Sequence, residues 1–174
     1  MSNLTSPLGR YAAGDGSAAA GDLPTHLVRL IGVPVRILIA AREHHDDVLR
    51  EFSVLAMSQQ DHASQPSRRL AELTELFGST YGVATNRPDP VVVDAMQRGE
   101  STVDLSYEVT ADTATAADRL ETLMTEADEF CRSEQMLALP RSALLVEIAH
   151  WYLDEFRRQI GGEAPRPWSG PSAP

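Results

Sequence analysis

Thr102-Val103-Asp104-Leu105-Ser106-Tyr107-Glu108-Val109 sets an apolar side chain at every second position and a polar one between. Side chains of an extended strand alternate between faces, so a period of two predicts a strand with one buried face. A strand needs a neighbour for its backbone N–H and C=O groups. The apolar run from His26 to Ile31 is the candidate partner. Together they give a ribbon over about 26–32 and 102–109, and a two-stranded ribbon is stable only when packed on further elements. What flanks it therefore decides the fold.

The flanks read as helix. Pro34 stands where a first helical residue is favoured. After it Leu38, Ala41, His45, Val48, Leu49, Phe52, Leu55 and Ala56 keep the three-four spacing of a buried helix face, which predicts one long helix over about 34–60. Pro66 opens a second helix, with Leu70, Leu73, Phe77 and Tyr81 on one side. Asp89-Pro90 and Gly99 bracket a short third one as cap, first residue and stop. A fourth covers about 112–133, with Ala117, Leu120, Leu123, Met124, Ala127, Phe130 and Cys131 inward. Pro140 opens the fifth, in which Leu144, Leu145, Ile148, Trp151, Tyr152 and Phe156 give a broad apolar face and Gly161 the end. The expected fold is mainly α, a helical bundle of about five helices with at most a small two-stranded ribbon.

Residues 25–160 read as a single domain. Residues 1–24 are rich in Gly, Ala and Ser and bury too little to offset ordering entropy, so they read as a disordered tail. Residues 161–174 read as a flexible tail in which Trp168 is a candidate anchor. The chain has 174 residues, 43% of them apolar and only 6% aromatic, so Leu, Val, Ile and Ala must fill the core. No apolar run reaches about 18 residues, so no transmembrane helix is expected. The N-terminus has no basic stretch followed by an apolar one, so no signal peptide is expected. Cys131 is the one cysteine, which excludes an internal disulfide and a zinc ribbon. The expected location is cytoplasmic.

All fifteen basic side chains are arginine. Without lysine there is no P-loop, no kinase strand lysine and no Schiff-base chemistry, because a guanidinium stays protonated where those reactions need an amine. The net charge is −10 and unevenly placed: Glu100–Gln135 holds 10 acids and 2 arginines, a net of −8. Such a segment repels phosphate backbones and anionic membrane, so neither nucleic acid nor membrane is an expected partner. It is either a solvated helix face or a docking surface for a protein with a basic surface.

Metal-binding candidates are few. Glu43-His44-His45-Asp46-Asp47 gathers donors in about one helical turn and a half, but only residues three or four apart share a face. His45 falls on the apolar stripe. Glu147-Ile148-Ala149-His150 is a Glu-x-x-His, used twice in carboxylate-bridged di-iron bundles and present here once. His45, Glu147 and His150 are the metal candidates, against a plain reading in which His45 is a core histidine and His150 a surface one. Cys131 has no local base and sits among acids, which suits a small buried side chain better than a nucleophile. No catalytic residue and no cofactor is expected.

Three stretches set a Phe beside an acid and an arginine: Leu49-Arg50-Glu51-Phe52, Asp128-Glu129-Phe130-Cys131-Arg132 and Asp154-Glu155-Phe156-Arg157-Arg158. They read as Phe anchors with charged flanks, or as ion pairs ordering the helix ends. The first, the run Glu126 to Arg132, and Trp151 to Phe156 with Pro165-Arg166-Pro167-Trp168 resemble a family of uncharacterised small helical proteins of actinobacteria. Its members are often encoded near anti-sigma factors and their antagonists, the genes of partner-switching pathways. The resemblance implies a regulatory or accessory role and transfers no active-site residue.

The expectation is a non-enzymatic regulatory or adaptor protein working by protein–protein contact, in sigma-factor or stress signalling, with a signalling regulator as partner. Glu126, Asp128 and Glu129 are its expected contact surface. The alternative is a helical bundle, enzyme or sensor, that holds a metal or small ligand between helices. A homo-oligomer is a third option, since the broad face from Trp151 to Phe156 invites a second layer.

Overall fold

In chain order the elements are β1 (Leu4–Thr5), β2 (Thr25–Pro34), α1 (Val35–Ser58), α2 (Pro90–Gln97), β3 (Thr102–Thr110), α3 (Thr113–Arg132) and α4 (Ala143–Ile160). The computed structural model describes residues 4–5, 25–58, 90–133 and 137–170. The chain is mainly α with a small antiparallel ribbon, β2 against β3. Four helices are found among the described residues rather than about five, and the helix expected from Pro66 to Tyr81 lies outside them. A third strand was not expected: the two residues of β1 pair parallel with β3, Leu4 opposite Tyr107.

The alternation that predicted β3 is its burial pattern. Val103, Leu105, Tyr107 and Val109 are buried, while Thr102, Asp104, Ser106 and Glu108 are exposed. In β2 the pattern breaks once. Leu30 faces Leu105 and Val33 faces Val103, so Ile31 and Gly32 together oppose Asp104. This is a β-bulge, and the added residue resets which face the strand buries. Leu30 and Val33 both enter the core although they are three apart. Gly32 carries the bulge at φ +71, a left-handed conformation that other residues reach only under strain. Its N–H donates to the Asp104 carboxylate at 2.8 Å.

One face of the ribbon is the core. Phe156, Leu153 and Ile148 of α4 and Leu120 and Ala117 of α3 pack on Val28, Leu30, Leu105 and Tyr107. The Tyr107 and Tyr152 hydroxyls are 3.1 Å apart and both rings lie against Phe156. A second, smaller cluster joins Val48 of α1 to Leu123, Ala127 and Cys131 of α3.

Helix α4 starts later than Pro140. Ser142 is its cap, extended at φ −64 and ψ 158, and its hydroxyl accepts the Leu145 N–H at 3.3 Å. Arg141 is drawn into an ion pair with Asp128, which keeps the chain before Ser142 out of the helix. At the other end Gly162, at φ +90, closes the helix. Its N–H bonds the Gln159 carbonyl at 3.1 Å and the Glu163 N–H bonds the Arg158 carbonyl at 2.9 Å.

Residues 161–170, expected as a tail, run back along the edge of β2. The Trp168 N–H bonds the Ile31 carbonyl at 2.9 Å, and its ring meets Trp151 edge to face at 5.4 Å between centroids. The anchoring expected of Trp168 is thus seen in the described part of that segment.

Candidate functional site

Helix α3 carries most of the acidic segment, and its apolar residues sort it into two faces. Ala116, Ala117, Leu120, Leu123, Ala127 and Cys131 turn inward. Outward lie Asp118, Glu121, Thr122, Thr125, Glu126 and Glu129, with Asp118, Thr122, Thr125 and Glu129 exposed and Glu121 and Glu126 half-buried. The spacing of three and four places them in a continuous stripe. Asp118, Glu121, Thr122, Thr125 and Glu126 line a shallow depression of about 460 Å³. Both threonine hydroxyls turn back on the helix. Thr122 donates to the Asp118 carbonyl at 3.0 Å and Thr125 to the Glu121 carbonyl at 2.9 Å. The floor of the depression is therefore methyl and carboxylate, which suits a cationic side chain better than a small polar ligand.

Along the seam with α4 the stripe is partly neutralised. Arg157 donates to Asp118 at 2.6 Å and also bonds Glu121, whose other oxygen meets His150 Nδ1 at 2.7 Å. Burial alone would raise the Glu121 carboxyl. The His150 and Arg157 hydrogen bonds outweigh it and hold the group below the usual carboxylate range. Glu126 and Glu129 continue the same stripe towards the C-terminal end of α3.

Asp128 does not belong to this surface. It is 4% exposed and faces Arg141. Its Oδ1 accepts the Arg141 backbone N–H at 2.9 Å and its Oδ2 accepts the guanidinium at 2.9 and 2.8 Å. One carboxylate thus fixes both the main chain and the side chain of the residue that leads into α4. Of the three expected contact residues, Glu126 and Glu129 remain on the outer face.

The metal candidates are separated by role. His150 is exposed and committed to Glu121. Glu147 lies half-buried one turn earlier on α4. His45 is on α1, where burial, with His44 and Arg42 adding to it, pushes its pKa down to about 4. Burial likewise lowers His44, which also feels Asp128 and Arg141 in opposite senses. No group of three or more His, Cys, Asp or Glu side chains suited to a metal is assembled among the described residues. Cys131 is buried, and that burial, with Asp128 and Glu51 beside it, raises its thiol pKa. Such a thiol stays protonated and is a poor nucleophile. No described helix is long and apolar enough to cross a membrane.

Two polar devices escaped the sequence reading. Glu155 is fully buried and takes four donors: Arg158 at 2.6 Å, Gln159 at 2.9 Å, and the backbone and side-chain N–H of Arg166, both at 2.9 Å. Burial would raise its pKa, and these hydrogen bonds, Arg166 first, carry it below the usual range instead. Gln159 in turn places its amide on the open edge of β2, donating to the Arg29 carbonyl at 2.7 Å and accepting the Arg29 N–H at 2.8 Å. The second device is Glu51 of α1, whose carboxylate accepts the Leu137 N–H and, at 2.6 Å, the Ala138 N–H. In the sequence both glutamates stood in the Phe-flanking pattern, but nothing there separates a buried carboxylate from a solvated one.

Comparison with protein-family models, with curated proteins and with solved structures finds no match to this chain.

Proposed function

We propose that this chain is a non-enzymatic regulatory or adaptor protein that acts by contact with another protein, and that the outer face of α3 is its contact surface. The observation that carries this reading is the acidic stripe from Asp118 to Glu129. A stripe of one sign on a rigid helix steers an oppositely charged partner and fixes its register. Other arginine forks are engaged with carboxylates off the stripe, Arg141 with Asp128 and Arg158 and Arg166 with Glu155, while Arg157 partly neutralises the Asp118 and Glu121 end of the stripe itself. The resemblance to actinobacterial proteins encoded beside anti-sigma factors supports a place in sigma-factor or stress signalling, with a regulator of that system as the partner bearing the basic surface.

Reversing charge at Glu126 and Glu129 tests it. Glu129 is exposed and Glu126 half-buried on the outer face, so the melting temperature of the Glu126→Arg, Glu129→Arg chain is taken first to separate a lost contact from a lost fold. The proteins encoded beside this chain are purified and titrated by calorimetry at two salt concentrations. Salt-sensitive binding that the double reversal abolishes supports the reading. Binding that is untouched by salt and by the reversal removes α3 as the contact surface.

A further inference from the structure

The contacts of residues 164–168 gather at Arg166 and Trp168. Pro165 and Pro167 carry no N–H, and the two amides beside them are both used. The Arg166 N–H donates to Glu155 and the Trp168 N–H to the Ile31 carbonyl, each at 2.9 Å. The Arg166 guanidinium meets the fully buried Glu155 carboxylate and, beside it, Asp154. The Trp168 ring meets Trp151 edge to face.

The receiving surface keeps its own order without this segment. Glu155 Oε1 also holds Arg158 at 2.6 Å, and Oε2 holds Gln159 at 2.9 Å. The turn out of α4 has separate bonds, Gly162 to the Gln159 carbonyl and Glu163 to the Arg158 carbonyl. The chain can therefore lift from Ala164 onward while the end of α4 stays intact. What it uncovers is a carboxylate seat for a guanidinium, an aromatic shelf and a carbonyl on a strand edge. An extended peptide that docks on a sheet edge uses main-chain bonds for affinity and side-chain seats for choice. One atom shows that the chain's own segment fills the seat incompletely. Trp151 Nε1 is buried and has no hydrogen-bond partner among the described residues. A buried donor without an acceptor forfeits its hydration and gains nothing in return.

We infer that Glu155, Asp154, Trp151 and the Ile31 carbonyl form a seat for an extended peptide of a partner protein, and that residues 164–168 occupy it in the free chain as an autoinhibitory strap. The peptide carries an arginine, an aromatic residue two positions on, and a side-chain acceptor for Trp151. Paired carboxylates select the planar fork of arginine over lysine. A second copy is disfavoured as occupant, because its identical segment would leave the Trp151 N–H unmet again. This contact goes beyond the one on α3, and neither depends on the other.

The test opens the seat in the full chain. Arg166→Glu with Trp168→Ala removes both holds and sets a carboxylate against Glu155 and Asp154. A cooperative melt shows that the rest is folded, and where it is lost Trp168→Ala alone serves as the opened chain. The probe is a fluorescein-labelled peptide copying residues 163–170, followed by anisotropy. The opened chain should bind it. The parent chain, whose competent state is the minor one, should bind at least about ten-fold more weakly. Alanine in place of the probe's arginine should abolish binding. No binding to the opened chain, equal binding to both chains, or indifference to the probe's arginine overturns the seat. A library of the probe, with arginine and tryptophan kept and the other positions varied, is then selected on the opened chain. Enrichment of Asn or Gln as the acceptor for Trp151 is expected. Selection of peptides without such an acceptor overturns the choice of occupant in favour of a second copy.

Discussion

The two ends of α4 use one device for opposite purposes. At the C-terminal end a buried carboxylate, Glu155, holds Arg166 and draws residues 161–170 over the edge of β2 with the Trp168 ring turned in. At the N-terminal end a buried carboxylate, Asp128, holds Arg141 and fixes a segment whose leucines are turned out. Each grips a backbone N–H together with its own guanidinium. The difference lies in what the gripped segment does with its apolar side chains. One end seals a sheet edge, which natural sheets must cover or risk pairing with other chains. The other holds a segment that turns Ala138 in and leaves Leu137 and Leu139 in water.

The largest effect should come from the sealed end. Glu155→Ala removes the acceptor of four hydrogen bonds, unlatches the C-terminal segment and frees Gln159 from its position on β2. Urea denaturation should show a loss of about 4 kcal/mol. At the N-terminal end Asp128→Ala leaves the Arg141 guanidinium, 11% exposed, without its partner, and should cost about 3 kcal/mol. Replacing the pair, Asp128→Leu with Arg141→Met, should restore all but about 1 kcal/mol, because only the Arg141 N–H then lacks an acceptor. Equal losses from the single and double changes would mean that the pair is not the unit holding this end.

Acid should separate His45 of α1 from Glu155 of α4 as well. His45 is kept neutral in the fold, with a pKa of about 4 against an ordinary 6.5. Its contribution is complete above pH 6.5 and lost as pH falls towards 4, a change of about 3 kcal/mol that His45→Leu should flatten. The Glu155 carboxyl is depressed in the folded state, so its contribution is complete above its ordinary value of 4.5 and lost only below it, as pH falls through the folded pKa. A stability curve flat from pH 7 to 5 would contradict the burial of His45. Smaller still is Trp168→Ala, which strips the edge-to-face contact with Trp151 and should cost about 1.5 kcal/mol. Smallest is Leu137→Asp with Leu139→Asp, expected within about 0.5 kcal/mol of the parent chain, since neither side chain is buried.

Much of this architecture was legible in the sequence. The period of two in β3, the apolar spacing of α3, that of α1 as far as Leu49, the Pro90–Gly99 bracket of α2 and the Trp168 anchor all follow from local rules that the fold respects, and in α4 the expected apolar face holds from Leu145 to Phe156 while Leu144 stands exposed. The bulge at Ile31-Gly32 was not legible, because one added residue changes parity without changing composition. Nor were the buried carboxylates. Asp128 and Glu129 are neighbours in an acidic run, yet a 100° step around the helix puts one against Arg141 and the other in water. Arg166 is 11 residues beyond Glu155, and only the turn at Gly162 brings them together. The acidic stripe was half visible: its charge was plain, but which members face outward depends on where Ala127 and Cys131 pack.

The claim at the centre is that the exposed leucines hang from a held backbone. Amide hydrogen exchange reads this directly, since a bonded N–H exchanges only when its bond opens. Leu137, Ala138 and Arg141 should be protected together with Arg166 and Trp168 at the other end, and Glu51→Gln should weaken protection at Leu137 and Ala138 alone. Leu137 and Ala138 exchanging at the rate of a free peptide, while Arg166 and Trp168 stay protected, would contradict it.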